Sequence, residues 1–293
     1  MQHITVLLEE AVEGLALQPN SIVVDATFGG GGHGRSIIEH LGANGTYIGI
    51  DADATAFIGH NYESVKPTVH LVNNNFKNVT EIIRSLHITH TDAILADLGW
   101  RQDQFTDGGK GFSFMKDEPL HMTFGEPGDY DFTAYDIVNS WEESSIADII
   151  FGYGEERASR KIAKAIVERR KLSPIKTTKE LVDCIESVIR RDKKSKINPA
   201  TKTFQALRIA VNDELSVLEI FLKDAFTALS PGGRLAIISF HSLEDRVVKH
   251  YFKTLAAAEL ATTITKKPIT PSGDELANNP RARSAKLRVI EKI

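Results

Sequence analysis

Four consecutive glycines, Gly29 to Gly32, follow an apolar run that ends in an acid, and a helical pattern starts directly after them. The stretch Ile22 to His33 reads IVVDATFGGGGH, and RSIIEHLG follows Gly34. This order spells strand, glycine turn, helix. Glycine admits positive φ and lets a ligand come close to the backbone. The N–H groups at the start of a helix favour an anion or a polar ligand edge. A second apolar run, Tyr47 to Ile50, ends in Asp51. An acid there, about twenty residues past the glycines, suits a ribose diol. The pattern predicts a parallel α/β sheet that holds a nucleoside-bearing cofactor.

Two details bear on which cofactor. In a dinucleotide site an apolar residue usually leads into the first glycine; here Asp25, Ala26, Thr27 and Phe28 intervene. A carboxylate at the strand tip suits the ammonium and sulfonium of S-adenosylmethionine. No lysine followed by Ser or Thr comes after the glycines, which argues against a triphosphate loop. The reading favours S-adenosylmethionine over NAD.

Further apolar runs, Val69 to Val72 and Asp92 to Asp97, read as strands three and four. The turn after strand three, NNNFKNV, lies on the ligand side of such a sheet, so Phe76 is a candidate cover for an adenine. After DLGW comes a long stretch rich in Gly, Asp and aromatics, read as an ordered functional loop. From Thr133 to about Arg191 apolar residues recur at spacings of three and four, predicting helices with no strand between them. Thr178 is the expected N-cap of one of these. TKTFQALRIAVNDELSVLEIFLKDAFTAL predicts one long helix, stopped by SPGG, and RLAIISF a buried fifth strand. ATTIT and KLRVI read as edge strands. The domain expectation is a first sheet segment over 1–104, a loop and helical insertion over 105–200, and a second sheet segment over 201–293.

The net charge of -4 conceals an asymmetry. Between Phe151 and Ala210 stand 16 Lys and Arg against 7 Asp and Glu, a net of +9 that leaves -13 for the remainder. That regional excess points to nucleic acid, against the plainer reading of a solvated helical face. The single cysteine, Cys184, lies in an apolar helical pattern and excludes a disulfide framework. No apolar run reaches membrane-span length and no signal-peptide pattern opens the chain, which predicts a cytoplasmic protein.

Methyl transfer from a sulfonium needs an aligned nucleophile and a proton acceptor. The tip of strand four is the usual place for that acceptor, and it reads Asp97, Leu98, Gly99, Trp100. Enzymes that methylate adenine N6 or cytosine N4 often have Asp, Asn or Ser, then two prolines and an aromatic here; DLGW keeps the acid and the aromatic at the same spacing but lacks the prolines. His241, at the end of strand five, is a candidate base, a base-contacting donor or a structural residue. Asp97, Trp100 and His241 are the candidate catalytic residues.

These residues lie within a wider resemblance. HITVLLEE, DATFGGGGHG, GKGFSFMKDEPL, FQALRIAVNDEL, ISFHSLEDR and NPRARSAKL resemble the bacterial cytosine-N4 methyltransferases of 16S rRNA, the RsmH (formerly MraW) family, over nearly the whole length. The resemblance implies a class I methyltransferase fold with a helical insertion. It implies S-adenosylmethionine as cofactor and methylation of N4 of one cytidine in the decoding centre (P site) of the small subunit. By motif, cofactor contacts fall on Gly31, Gly32, His33, Asp51, Phe76, Asp97 and Gln104, with no metal. A homodimer is common among similar proteins. The chain departs from the family pattern at Trp100 to Asp103 and at His121 and Phe124. These departures flank the acceptor side, so two other readings stand beside the first: a same-fold enzyme with another RNA or DNA target, and a non-catalytic RNA-binding assembly protein.

Overall fold

The computed structural model describes residues 4–99, 109–189 and 198–293. They form two compact units, divided along the chain as Met1–Arg101 with Leu215–Ile293, and Gln102–Glu214.

The first unit is built on a seven-stranded sheet in the order β3-β2-β1-β4-β5-β7-β6. The strands are β1 (Ile22–Asp25), β2 (Thr46–Asp51), β3 (Thr68–Asn73), β4 (Thr91–Asp97), β5 (Leu229–Ser239), β6 (Ala261–Thr263) and β7 (Lys286–Lys292). The first five run parallel, and β7 is antiparallel to both neighbours. This is the class I methyltransferase order that the resemblance implies. Ala93 to Ala96 of β4 have no exposed surface, as expected of a central parallel strand covered on both faces. One face packs on α3 (Val79–Ser85), α9 (Glu214–Ala228) and α10 (Ser242–Ala257) through Ile82, Phe221 and Val248. The other packs on α1 (Leu8–Gly14) and α2 (Gly32–His40) through Ala11 and Ile37. The strand order reverses at β1, where β2 lies to one side and β4 to the other, so the crevice beyond Asp25 is where such sheets bind ligands.

The second unit is helical: α4 (Ala134–Ser140), α5 (Glu143–Gly152), α6 (Ser159–Arg170), α7 (Thr178–Val188) and α8 (Thr201–Asn212), with α11 (Gly273–Asn278) the remaining helix of the first unit. No strand occurs among its described residues, only an isolated bridge between Pro119 and Thr177. Its core includes Ile137, Ile150, Ile162, Leu181, Phe204 and Leu207. Cys184 is buried there, and burial pushes its thiol above the usual range. It is a packing residue and not a nucleophile.

Four details differ from the pattern reading. The long helix predicted over 201–229 is two helices, because Asp213 takes a left-handed φ of 47°. The turn lets Arg208 clamp Glu214 with Nε–Oε1 at 2.7 Å and Nη2–Oε2 at 2.9 Å. With that break, α8 buries Phe204, Leu207 and Val211 in the helical unit, whereas the pattern reading gave it to the sheet. SPGG does not separate helix from strand: it lies inside β5, where the pairing with β4 shifts register between Thr91 and Ala93. KLRVI is not an edge, since β7 sits between β5 and β6. Finally Thr177, not Thr178, caps α7, in a capping box with Glu180, while the Thr178 hydroxyl donates to the Lys116 carbonyl.

Candidate active site at the strand tips

Three carboxylates mark the C-terminal ends of three adjacent strands: Asp25 on β1, Asp51 on β2 and Asp97 on β4. The glycine turn is held among them. Phe28 N donates to Ile50 O at 2.8 Å and Gly29 N to Asp51 Oδ2 at 2.8 Å. Gly31 caps α2 with φ of 70°, and a Cβ there would come within 2.6 Å of the His60 ring. Only glycine fits both constraints. At Gly32 a Cβ would overlap the Thr5 hydroxyl, so that glycine too is a site of close packing.

Each acid has a distinct setting. Asp51 is half-buried, and its Oδ1 accepts from Asp53 N at 2.9 Å. Both of its oxygens thus fix backbone of the turns that follow β1 and β2. Asp97 receives Gly99 N on Oδ1 at 2.9 Å, and its own N–H donates to Thr27 Oγ1 at 2.6 Å. Asp25 is 1 % exposed and accepts from the Tyr47 hydroxyl at 2.9 Å and from Thr27 N at 3.3 Å. Burial pushes the Asp25 carboxyl up to about 6 from an ordinary 3.8; nearby His33, Tyr47 and Thr27 oppose the rise, and Asp97 adds to it. Burial, then the charge of Asp25, holds the Tyr47 phenol well above its usual value, so it remains the donor.

His33 joins this set. Its Nε2 lies 3.1 Å from Val6 O, and because a carbonyl only accepts, Nε2 carries a proton. Nδ1 lies 3.8 Å from Asp97 Oδ2. A neutral ring therefore turns a lone pair toward that acid, and a protonated ring turns a positive donor toward it.

The structure thus brings together Gly31, Gly32, His33, Asp51 and Asp97. Phe76 stands at the end of β3, but its ring meets Phe221 edge-on, with centroids 5.0 Å apart, and packs on the core. His241 stands at the end of β5 as the N-cap of α10. Its Nδ1 accepts from Glu244 N at 3.4 Å, and Glu244 Oε2 accepts from Phe240 N and His241 N. Nε2 sits 3.1 Å from Glu244 Oε1 without hydrogen-bond geometry. The geometry gives His241 a structural occupation, the plainest of the three roles the sequence leaves open. Trp100 and Gln104 lie outside the described residues. In the helical unit, Phe124 stacks on Phe112 with centroids 5.6 Å apart, and His121 is half-buried in the loop before α4.

Pattern reading missed Thr27 and Tyr47. Thr27 sits in plain view in DATF, but nothing in the spacing says that its hydroxyl will anchor β4. Tyr47 reads as an ordinary strand aromatic; its hydroxyl fills the space left by the absent side chain of Gly34.

The model of the MraW methylase family matches residues 1–293. The chain belongs to that family. Curated relatives agree in length as well as sequence. One from Clostridioides difficile, named "Ribosomal RNA small subunit methyltransferase H", is 42% identical over 99% of this chain and 99% of its own. Another of the same name, from Clostridium botulinum, is 44% identical over 100% and 99%. Among solved structures, an rRNA methylase from Streptococcus thermophilus superposes with a TM-score of 0.45 at 12% identity, covering 100% of this chain and 99% of that one. The three acids and the glycine turn stand at the carboxyl ends of the parallel strands, the end at which such sheets bind ligands. Among the described residues no helix is long and apolar enough to cross a membrane.

The raised Asp25 carboxyl makes a testable pH dependence. Between pH 3.8 and about 6 the folded state binds a proton that the unfolded chain has lost. Stability therefore falls as pH rises through that window, by on the order of 2–3 kcal/mol. Asn at this position keeps an acceptor for Tyr47 and cannot ionise. Denaturant unfolding at pH 4 and pH 7 should show wild type losing that stability relative to Asp25→Asn; parallel pH curves for the two proteins would rule out a neutral buried acid.

Proposed function

We propose that this chain methylates N4 of a cytidine in the decoding centre of 16S rRNA, using S-adenosylmethionine, in the cytoplasm. The observation that carries the reading is Asp97: an acid at the tip of β4, fixed from both sides by Thr27 and Gly99 and facing His33. The full-length match to the family supports the substrate class.

The cofactor fits the residues present. Asp51 places a carboxylate at the tip of β2, the kind of group that binds a ribose diol, the start of α2 offers N–H groups, and the narrow turn at Gly31 keeps side chains off the backbone. Gly31, Gly32, His33, Asp51 and Asp97 would hold it, with Phe76 at the adenine side and Gln104 by motif. S-adenosylmethionine supplies a methyl group already activated on a sulfonium. The chain's task is to place the amine and take its proton. A cytosine amine has its lone pair delocalised into the ring. An acceptor on its N–H bond turns that lone pair outward, and Asp97, through its carboxylate or its carbonyl, is the acceptor at hand. Thr27 and Gly99 limit the freedom of this acid before substrate arrives, which is how positioning lowers a barrier. Trp100 follows by sequence as a stacking face for a base removed from its helix.

The basic helical unit is the proposed rRNA-binding element. Arg169 and Arg170, in the last turn of α6, have local partners: Arg169 bonds Ser173, and Arg170 Nη1 donates to Val138 O at 3.1 Å. The exposed cations of α6 are Arg160, Lys161 and Lys164. These are the better candidates for phosphate contacts.

Three outcomes are expected. Asp97→Ala should lower turnover on small subunits by about 10²–10⁴, read with labelled cofactor; full turnover would move the acceptor elsewhere. Asp51→Ala should weaken cofactor binding by about 1–3 kcal/mol in calorimetry, and equal affinity would remove the diol assignment. Arg160→Glu with Lys164→Glu should flatten the slope of log affinity against log salt by about 1.4–1.8. An unchanged slope would return α6 to a solvated face.

A further inference from the structure

Helix α10 carries a second charged surface, on the sheet unit, that the sequence charge count does not isolate. Its two acids both lie in the first turn, and both are occupied. Glu244 is 5 % exposed and serves the cap. Asp245 accepts from Arg288 Nε at 2.7 Å and Lys286 Nζ at 3.1 Å, and these two cations of β7 hold its carboxyl below the usual range despite the desolvation that opposes them. What remains exposed along the helix is Arg246, Lys249, His250 and Lys253, with small polar or apolar residues between. Spacings of three, four and seven put them on one stripe. Beside the stripe, α9 and α10 form a groove of about 360 Å³ lined by Lys223, Arg246, His250 and the half-buried Tyr251. Glu219, also lining it, and Asp224, near Tyr251, are the nearby acids; the formal cations of groove and stripe together, Lys223, Arg246, Lys249 and Lys253, outnumber them.

The position of the stripe matters as much as its sign. His241 caps α10 at the end of β5, and Ile238 of β5 pairs with Asp97 of β4. The stripe therefore begins one turn below the rim that holds Asp97. Seven residues of helix span about 10 Å, which matches about three phosphates of one strand at about 3.4 Å of axis each.

We propose that this face of α10 is an RNA backbone track, holding the phosphates of the strand that flanks the target nucleotide. It rests on the reading of the chain as an rRNA methyltransferase. The charge pattern favours RNA over a protein partner, because the stripe presents cations at regular spacing and the apolar residues of the adjoining groove, Leu222 and Val247, are buried or half-buried.

The test uses the full chain and purified small subunits or 16S rRNA. Lys249→Glu with Lys253→Glu should flatten the salt slope by about 1.4–1.8, the release expected for two phosphates, and the matching alanine pair should do the same. The KM for subunits should rise while kcat and cofactor affinity stay at the wild-type level, which also reports an intact fold. An unchanged slope in both pairs overturns the track. So does a pair that loses affinity for polyglutamate while keeping the RNA slope, which would assign the face to an acidic protein. Methyl incorporation by the wild type, measured separately, tests the underlying reading: an enzyme inactive on subunits with a slope that still flattens would fail that reading and leave the track standing.

Discussion

The structure depends on a sheet whose central strands have no exposed face. Val23, Val24 and Ala93 to Ala96 are fully buried, so no polar side chain can leave the middle of β1 or β4 without losing water. Polar chemistry is thereby forced to the strand ends. At those ends the N–H of Asp97 meets Thr27, the N–H of Gly29 meets Asp51, and the N–H of Ala26 meets Leu95 O at 2.8 Å. The same bonds that finish the ladder fix the acids. A rigid floor and a positioned rim are one construction here.

Within that rim the three acids have been driven apart in character. Asp25 is dry and titrates near 6, Asp51 is half-solvated and holds backbone N–H groups, and Asp97 shares its field with His33. Desolvation outweighs the hydrogen bonds from Tyr47 and Thr27 at Asp25, since the direction of the shift is upward. An acid so placed is poorly suited to attract a cation from solution. The sequence reading gave Asp25 a part in placing the ammonium and sulfonium; the geometry makes it a support beneath the turn, fixing Tyr47 and through it the start of α2. The accessible carboxylates are its neighbours.

What could be read from sequence follows the physics of pattern. The parallel strands were legible because doubly covered strands are continuous apolar runs, and the glycine turn because φ near 70° at Gly31 excludes other residues. The helical insertion showed in its 3.6-residue periodicity. What failed were features set by single backbone angles or by distant partners. A left-handed Asp213 is invisible in an unbroken amphipathic pattern, and it moved α8 from one unit to the other. A register shift between β4 and β5 hid SPGG inside a strand. The place of β7 between β5 and β6 depends on pairing across the sheet, which no local window records. In the site, Asp51 and Asp97 were legible as strand-end acids, while the hydroxyls of Thr27 and Tyr47 act through residues about 20 to 70 positions away.

His241 shows why residue type and position are weaker guides than hydrogen bonds. A histidine at a strand tip beside Asp97 has the right chemistry for a base. Yet its Nδ1 already accepts the Glu244 N–H, and its Nε2 faces the same residue's carboxylate. To take a proton through Nδ1 it would have to give up the Glu244 N–H and uncap a 16-residue helix. Loss of such a cap costs about 0.5–2 kcal/mol, and the buried Glu244 would lose a partner as well. Asp97 is held differently: its Oδ1 accepts from Gly99 N, and its own N–H donates to Thr27 Oγ1. Geometry therefore separates the two residues: the acid on β4 is held at the rim by backbone bonds, and the histidine on the next strand caps the helix that carries the cationic stripe.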